Sequence, residues 1–143
     1  MEASTGKNIL NKIKFKCSVS SVLNKDVKQN GKNFMFDSID ETAWSSEQGN
    51  SQWINILFEE PQDVKYFNIQ FQGGFAGKDL KVDVENIDNT LIHSQEFYPE
   101  DINSIQKFEF NNKIEKASKI KFKFNSSYDF FCRIIIYKLE IYS

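Results

Sequence analysis

Residue types that usually carry catalysis are few in this sequence, and their spacing does not favour it. His93 is the single histidine, so a catalytic triad or metal cluster can use only one imidazole. Asp37 and Glu47 are the acids best suited to a hydrolytic pair, but such a pair must face a cleft with separated pKa values, which spacing alone does not establish. The sequence has no nucleophile elbow, phosphate-binding loop or Cys-x-x-Cys motif. We therefore predict that the protein is not an enzyme.

The two cysteines, Cys17 and Cys132, both lie in apolar stretches. The first sixteen residues lack the apolar run and cleavage site of a signal peptide, so we expect an intracellular protein, cytoplasmic, nuclear or both. Such compartments keep thiols reduced. We predict two free, buried thiols rather than a disulfide.

Four short segments combine aromatic, amide and charged side chains of the kinds that bind ligands or partner proteins. We predict a binding surface built from Asn24, Lys25, Asp26, Trp44, Ser46, Glu47, Gln48, Gln72, Gly73, Gly74, Phe75, Tyr128, Asp129, Phe130 and Arg133.

Several of these residues admit two interpretations. Trp44 suits either a buried core anchor or a platform for a sugar ring. The glycine pair 73–74 suits either a plain hairpin turn or close approach of another backbone. Phe130 and Phe131 are neighbours that cannot both point into one core, so one is expected to be exposed. Arg133 suits either a clamp on a ligand or a structural salt bridge.

The elements that position these residues show the period of β-strands. Apolar residues alternate with polar ones in several segments, for example at Ile120, Phe122 and Phe124, where lysines 119, 121 and 123 lie between them. We expect those lysines to form a solvated outer face. The more continuous apolar segments 53–58 and 132–142 suit central strands, and Trp53 is expected to join Trp44 as a core anchor.

The fold predicted from this pattern is a single all-β domain. Strands separated by Asn-, Asp-, Ser- and Gly-containing loops, with no long helical pattern, indicate an antiparallel β-sandwich or jelly roll of about eight strands. We assign residues 15–143 to the domain and residues 1–14 to a flexible tail. The aperiodic stretch 23–52 is too long for an unstructured loop, so we expect Phe34, Phe36 and Trp44 to anchor it.

The charge of the chain limits the partners it can have. A formal net charge of −2 and a pI near 5.5 give no overall basic field, which disfavours nucleic acid. No apolar run approaches the ~20 residues of a membrane span. We expect a monomer.

Several segments also carry a resemblance to a known family. The segments at 20–56, 67–77, 97–108 and 129–142 include FDSIDETAWSSE, FNIQFQGGFAG, FYPEDINSIQKF and DFFCRIIIYKLEIY. They resemble the small nuclear-receptor-associated proteins that partner the orphan testicular receptor. More broadly, they resemble the discoidin-like (F5/8 type C), galactose-binding-domain-like superfamily. The resemblance implies a jelly roll with its binding loops at one end and an adaptor or receptor-modulating role.

The resemblance also bears on a structural calcium ion. It implies that the loop ligands of such an ion would be Asp37, Asp40 and Thr42, all oxygen donors of the kind Ca²⁺ prefers. The remaining family ligand aligns with Lys138, with Glu140 as the alternative if the alignment shifts by two residues. An ammonium group would repel a divalent ion and could pair with Asp37 or Asp40 instead. We therefore predict no cofactor and no calcium requirement.

Taken together, these features predict a non-catalytic module that binds a protein partner, such as a transcription regulator, through its loop end. The alternative is a carbohydrate-binding lectin that uses the same loops.

Overall fold

The computed structural model describes residues 7–143, and β-strands dominate it. Its strands are β1 (Phe15–Val19), β2 (Trp44–Ser45), β3 (Gln52–Phe71), β4 (Gly77–Glu85), β5 (Leu91–Phe97), β6 (Ile105–Ser127) and β7 (Ile135–Tyr142). The helical elements are one α-helix, α1 (Val27–Asn30), and short 3-10 turns at Ile9–Asn11, Leu23–Lys25 and Lys32–Met35. Within residues 7–143, no helix is long and apolar enough to span a membrane.

All the strand pairs are antiparallel, which confirms the predicted class. β3 and β6 pair along most of their lengths, from Gln52 opposite Phe124 to Gln70 opposite Ile105. Their register shifts between Leu57 and Tyr66, which marks a bend in both strands. Each long strand therefore passes from one layer of the fold to the other. Because these two strands are continuous, the described residues form seven strands, close to the expected number of about eight.

Two layers result from this bend. In one layer, β1, the first half of β3, the second half of β6, β4 and β5 lie side by side. In the other, β2, β7, the second half of β3 and the first half of β6 lie side by side. The sandwich is thus held together by two strands that belong to both sheets.

Phe67 marks the centre of the core between the layers. It is fully buried, and its ring lies 5.1 Å from Phe108 in its own layer and 5.1 Å from Phe122 in the other. Ile120, Phe122 and Phe124 are also fully buried. The intervening lysines 119, 121 and 123 point to the outer face, which confirms that part of the predicted pattern.

The two tryptophans have different environments, and the expectation that both are core anchors is wrong for one of them. Trp44 is fully buried, and its Nε1 donates to the carbonyl of Ser21 at 2.9 Å. Trp53 lies on the outer face, half-buried, because its neighbours Gln52 and Ile54 occupy the inward positions of β3. Lys121 Nζ lies 5.8 Å from the Trp53 ring centre.

The segment before β1 contacts the domain through its apolar residues. Residues 1–6 of the expected tail lie outside the described residues; Ile9 and Leu10 pack against the domain, whereas Asn11, Lys12 and Lys14 are exposed. Ile9 and Leu10 are each only 7% exposed, and the Asn8 side chain accepts a hydrogen bond from Ile141 N at 2.9 Å. A 3-10 turn at Ile9–Asn11 directs these apolar residues into the core beside β7.

The long aperiodic stretch is organised by turns and by core contacts. Met35 is buried, and Phe36 packs edge-to-face on Phe15 with ring centres 5.1 Å apart. Phe34 is half-buried. The structure therefore anchors this stretch with Met35 and Trp44, supported by Phe36.

Candidate functional site

The predicted binding segments converge at one end of the sandwich, which we name the loop end: residues 20–26, 44–49, 72–75, 99–103 and 127–133. Backbone hydrogen bonds join these loops. Gly49 N donates to the carbonyl of Phe131 at 3.0 Å, and Ile135 N donates to that of Phe75 at 3.2 Å. The resemblance-based expectation that the loops meet at one end agrees with this geometry.

A buried glutamine that we did not predict connects three of these loops. Gln52 is 2% exposed, and its Oε1 accepts hydrogen bonds from the hydroxyls of Ser20 at 2.5 Å and Ser21 at 2.9 Å. Its Nε2 donates to the carbonyls of Glu47 at 2.6 Å and Cys132 at 3.2 Å. The signal in the sequence is its position: Gln52 shares the inward parity of Ile54 and Ile56 and so must satisfy its amide inside the protein.

The first two predicted segments are connected through Glu47. Its carboxylate accepts a hydrogen bond from Asn24 N at 2.7 Å, where Asn24 has a positive φ of 56°. Asp26 caps α1 by accepting from Lys28 N at 3.2 Å. Lys25 is exposed. The hydrogen bonds of Glu47 and Asp26 thus shape this edge of the loop end, and the Lys25 side chain is exposed beside them.

Two residues of the second segment are buried, which corrects their assignment to the binding surface. Trp44 has no exposed surface, so the core-anchor interpretation holds and a sugar platform is excluded. Ser46 is 1% exposed, and its Oγ accepts from Ile134 N at 2.9 Å. Gln48 is exposed. Of this segment, the outer part of Glu47 and Gln48 remain accessible.

The third segment is a turn supported by a loop that sequence reasoning missed. Gly74 has φ +93°, and its N–H donates to Asp101 Oδ1 at 2.8 Å. Gly73 N donates to Asn103 Oδ1 at 2.7 Å. Phe75 N closes the turn on the carbonyl of Gln72 at 3.0 Å. The turn interpretation therefore holds, with a positive φ at Gly74, whereas the groups that approach the glycines are the side chains of Asp101 and Asn103 and not another backbone.

The fourth segment is organised by Asp129. Arg133 contacts this carboxylate with Nε at 2.9 Å and Nη2 at 3.1 Å. The backbone N–H groups of Phe131 and Arg133 donate to it at 3.2 and 3.1 Å. The hydrogen bonds from Arg133 hold the pKa of Asp129 below its ordinary value. Arg133 thus forms the structural salt bridge rather than an unoccupied clamp.

The same arrangement displays aromatic rings at the surface. Phe130 is 93% exposed and Phe131 50% exposed, with ring centres 5.2 Å apart in an edge-to-face pair. The Arg133 guanidinium lies 5.5 Å from the Phe131 ring centre and 5.3 Å from that of Phe75. Tyr128 is also exposed, and its hydroxyl donates to the carbonyl of Pro99 at 2.9 Å. The loop end therefore presents a braced aromatic surface.

The residues aligned with a family calcium site do not fit a divalent ion. Lys138 Nζ donates to Asp40 Oδ1 at 2.9 Å, so one of the three expected loop ligands already pairs with an ammonium group. Asp37 accepts from Thr42 Oγ1 at 2.6 Å. Glu140 accepts from Asn68 and Tyr142 instead. Pairing of Lys138 with one of the loop carboxylates is as the sequence analysis expected, and among residues 7–143 no cluster of acids, histidines and cysteines suits a metal.

The remaining reactive residue types are one histidine and two cysteines, of which Cys132 lies in the loop end. His93, on β5, shares a 2.8 Å hydrogen bond with Gln95. Cys17 and Cys132 are free, and burial raises the pKa of Cys17 to about 12 and also raises that of Cys132. Both thiols are therefore protonated at neutral pH and unreactive.

The sequence of this chain matches a known domain family and a group of relatives within it. The family model for the F5/8 type C domain matches residues 16–135. The Nuclear receptor 2C2-associated protein of Danio rerio is 50% identical over 86% of this chain and 86% of its own length. The human protein of the same name is 39% identical over 86% and 87% of the two chains.

Solved structures with low sequence identity share the fold. The F5/8 type C domain of a Bacteroides fragilis protein superposes with a TM-score of 0.72 at 13% identity, covering 90% of this chain and 91% of its own. The family 32 CBM from Clostridium perfringens NanJ, solved in complex with galactose, gives 0.71 at 16% identity, covering 90% and 93%. These likenesses establish the sandwich fold.

Proposed function

Because this chain belongs to the F5/8 type C domain family, and within it to the family of nuclear receptor 2C2-associated proteins, we propose that it is a non-catalytic adaptor that binds a protein partner through the loop end. The observation that carries this proposal is Phe130, a large apolar side chain that is 93% exposed at the tip of a braced loop. The Phe131 ring lies beside it with ring centres 5.2 Å apart, and the Arg133 guanidinium lies within 5.5 Å of both the Phe131 and the Phe75 ring centres.

Exposing such a cluster of aromatic rings to water is unfavourable in free energy. Contiguous exposed apolar surface is uncommon on monomers and marks interaction sites. Aromatic residues and arginine dominate the binding energy of protein interfaces. The Asp129–Arg133 network holds the loop before a partner arrives, which lowers the entropy lost on binding.

We propose no catalytic role because the two candidate acids, Asp37 and Glu47, accept hydrogen bonds within the loops. The Asp37 carboxylate accepts hydrogen bonds from Ile39 N and Thr42. Glu47 accepts one from Asn24 N. Neither acid is associated with His93, which lies on β5. These groups support the loops that carry the aromatic surface.

The names of the relatives suggest the class of partner. Since those relatives are called nuclear receptor 2C2-associated proteins, we propose a transcription regulator of the nuclear-receptor class, met in the cytoplasm or the nucleus. Arg133 is engaged by Asp129, so the contact surface consists mainly of the aromatic rings, with Lys25 and Gln48 at its edge.

A direct binding measurement tests this proposal. Immobilised nuclear receptor 2C2 of Danio rerio is titrated with the native protein and with Phe130→Ser, measured by biolayer interferometry. We expect Phe130→Ser to weaken binding by about tenfold or more, because a central aromatic contact is lost. Leu91→Ser, which removes a 55% exposed apolar residue on β5, is the matched control and is expected to bind normally.

Two outcomes would replace the adaptor proposal. Equal binding by Phe130→Ser and the native protein would place the interface elsewhere. If the receptor does not bind but galactose does, and Phe130→Ser abolishes the sugar response, the protein is a lectin of the kind seen in the NanJ module.

A further inference from the structure

A second surface lies at the end of the sandwich opposite the loop end. It is a groove lined by Ile13–Lys16, Leu57–Glu59, the turn after β4 and residues 118–119, with a volume of about 740 Å³. A smaller depression beside it shares Lys16 and Leu57, so the two form one continuous surface. We name this surface the basic groove.

The charge of the basic groove is opposite to that of the whole protein. Its lining includes Lys14, Lys16, Lys32 and Lys119, against the single acid Glu59. Within residues 7–143, none of these four lysines forms an ion pair. The lining is therefore net positive on a chain whose net charge is −2, although Glu85 lies opposite Lys119 across β4 and β6, outside the lining.

The strand register explains how the lysines and an apolar floor come together. Lys16 of β1 lies opposite Leu57 of β3, and Leu57 lies opposite Lys119 of β6. Leu57 is 47% exposed at the centre of this row, and Ile87 on the rim is 69% exposed. An apolar strip flanked by lysines suits a ligand that has both carboxylates and apolar side chains.

Two oxygen atoms of the groove have hydrogen-bonding capacity that the protein does not use. Ser118 is 7% exposed, and its Oγ has no partner in the described residues. Asn55 Oδ1, in the adjoining depression, also has none. Since buried polar atoms are nearly always hydrogen-bonded, such a pair of unpartnered oxygens beside a groove is unusual.

We propose that the basic groove binds an acidic segment of a partner protein, one in which apolar side chains lie between the carboxylates. The lysines pair with the acids, and Leu57 and Ile87 cover the apolar side chains. This site is separate from the aromatic surface around Phe130, and the proposal does not depend on the loop end.

The test uses a fluorescein-labelled peptide in which leucine pairs alternate with Asp and Glu, and a control peptide with Asn and Gln in place of the acids. Binding to the full chain is measured by fluorescence anisotropy at physiological salt, where charges separated by more than about 8 Å are screened. We expect the acidic peptide to bind and the amide peptide to bind at least about tenfold more weakly.

Paired charge reversals locate the site. Lys16→Glu with Lys119→Glu should weaken binding by about tenfold or more. Lys81→Glu with Lys123→Glu is the matched control, because those lysines pair across β4 and β6 on the same sheet but outside the groove lining. The control should change binding by less than about twofold, since long-range effects are screened. Lys16→Glu alone replaces the double variant if thermal melting shows that the latter is unfolded.

A separate variant tests whether the apolar strip around Leu57 contributes to binding. Leu57→Ser should also weaken binding of the acidic peptide, whereas Phe130→Ser should leave it unchanged. The proposal is overturned if the control reversal weakens binding as much as the groove reversal, or if Leu57→Ser has no effect. Equal binding of polyglutamate or single-stranded DNA would also overturn it, because the surface would then be a general polyanion site.

Discussion

At the scale of single residues, the most consequential group is the Asp129 carboxylate. It accepts hydrogen bonds from two backbone N–H groups and from the fork of Arg133, and thereby fixes the loop that exposes Phe130. Its side chain is 12% exposed, so water replaces these bonds poorly when they are broken. The exposed aromatic rings depend on this one acid for their position.

The lowered pKa of Asp129 gives this carboxylate a definite pH dependence. A folded-state pKa below the ordinary value of about 3.9 means that its contribution to stability is complete above that pH and is lost on further acidification. Asp129→Asn should therefore lower the free energy of unfolding by about 1 kcal/mol at neutral pH. It should also flatten the loss of stability between about pH 4 and pH 2.

Urea unfolding monitored by tryptophan fluorescence across that pH range is the measurement. Asp88→Asn, at the opposite end of the sandwich, is the control, and its curve should follow that of the native protein. An Asp129→Asn curve parallel to the native one would show that the carboxylate does not contribute in this way.

At the scale of elements, the start of β4 depends on a close approach between strands. A Cβ added at Gly77 would lie 2.2 Å from Cδ1 of Phe124, a ring that is fully buried in the core. The register between β4 and β6 is irregular directly after this position, where Asp79 lies opposite Ser126 between the pairs Gly77–Ser127 and Leu80–Phe124. β4 can therefore reach the loop end only without a side chain at residue 77.

Gly77→Ala is expected to destabilise the protein by about 1–3 kcal/mol, because the added methyl group overpacks the core against Phe124. Shrinking the ring by Phe124→Leu should relieve part of this clash. The two substitutions together should then cost less than the sum of their separate effects in a urea-unfolding cycle. Additive costs would mean that the methyl group is accommodated by movement of β4 alone.

At the scale of the whole molecule, a single ion pair connects the long stretch before β2 to the last strand. Lys138 of β7 contacts Asp40 at 2.9 Å, although Asp40 is 84% exposed. An exposed pair of this kind is worth at most about 1 kcal/mol. Burial of Met35 and Trp44 supplies the main attachment of this stretch, and the ion pair adds to it.

Thermal melting with EDTA and with Ca²⁺ tests whether a metal has any part in this attachment. We expect the same Tm in both, because Asp40 already pairs with the Lys138 ammonium group. Lys138→Glu places a carboxylate beside Asp40, and this variant should melt earlier in EDTA and gain stability with Ca²⁺. A fall of the native Tm by many degrees on chelation would contradict the argument.

The sequence by itself determined the strand class and the outward face of the lysines at 119, 121 and 123. It did so because alternation along a strand is a local property, readable from neighbouring residues. The convergence of the loops at one end came from the family resemblance, which carries topology that periodicity does not. Pairing of Lys138 with a loop acid followed from charge, although the choice between Asp37 and Asp40 did not.

In segment 53–58, where apolar residues occupy both faces of the strand, only the tertiary structure decided which side a second layer would cover. The outcome for the two tryptophans differs for that reason: Trp44 lies under the loop end, whereas Trp53 takes the outward parity of β3. The packing of Ile9 and Leu10 beside β7 and the hydrogen bonds of Gln52 to residues 20, 21, 47 and 132 likewise join positions distant in the chain. Such contacts depend on how β3 and β6 bend across both layers, and no local pattern of residues records that bend.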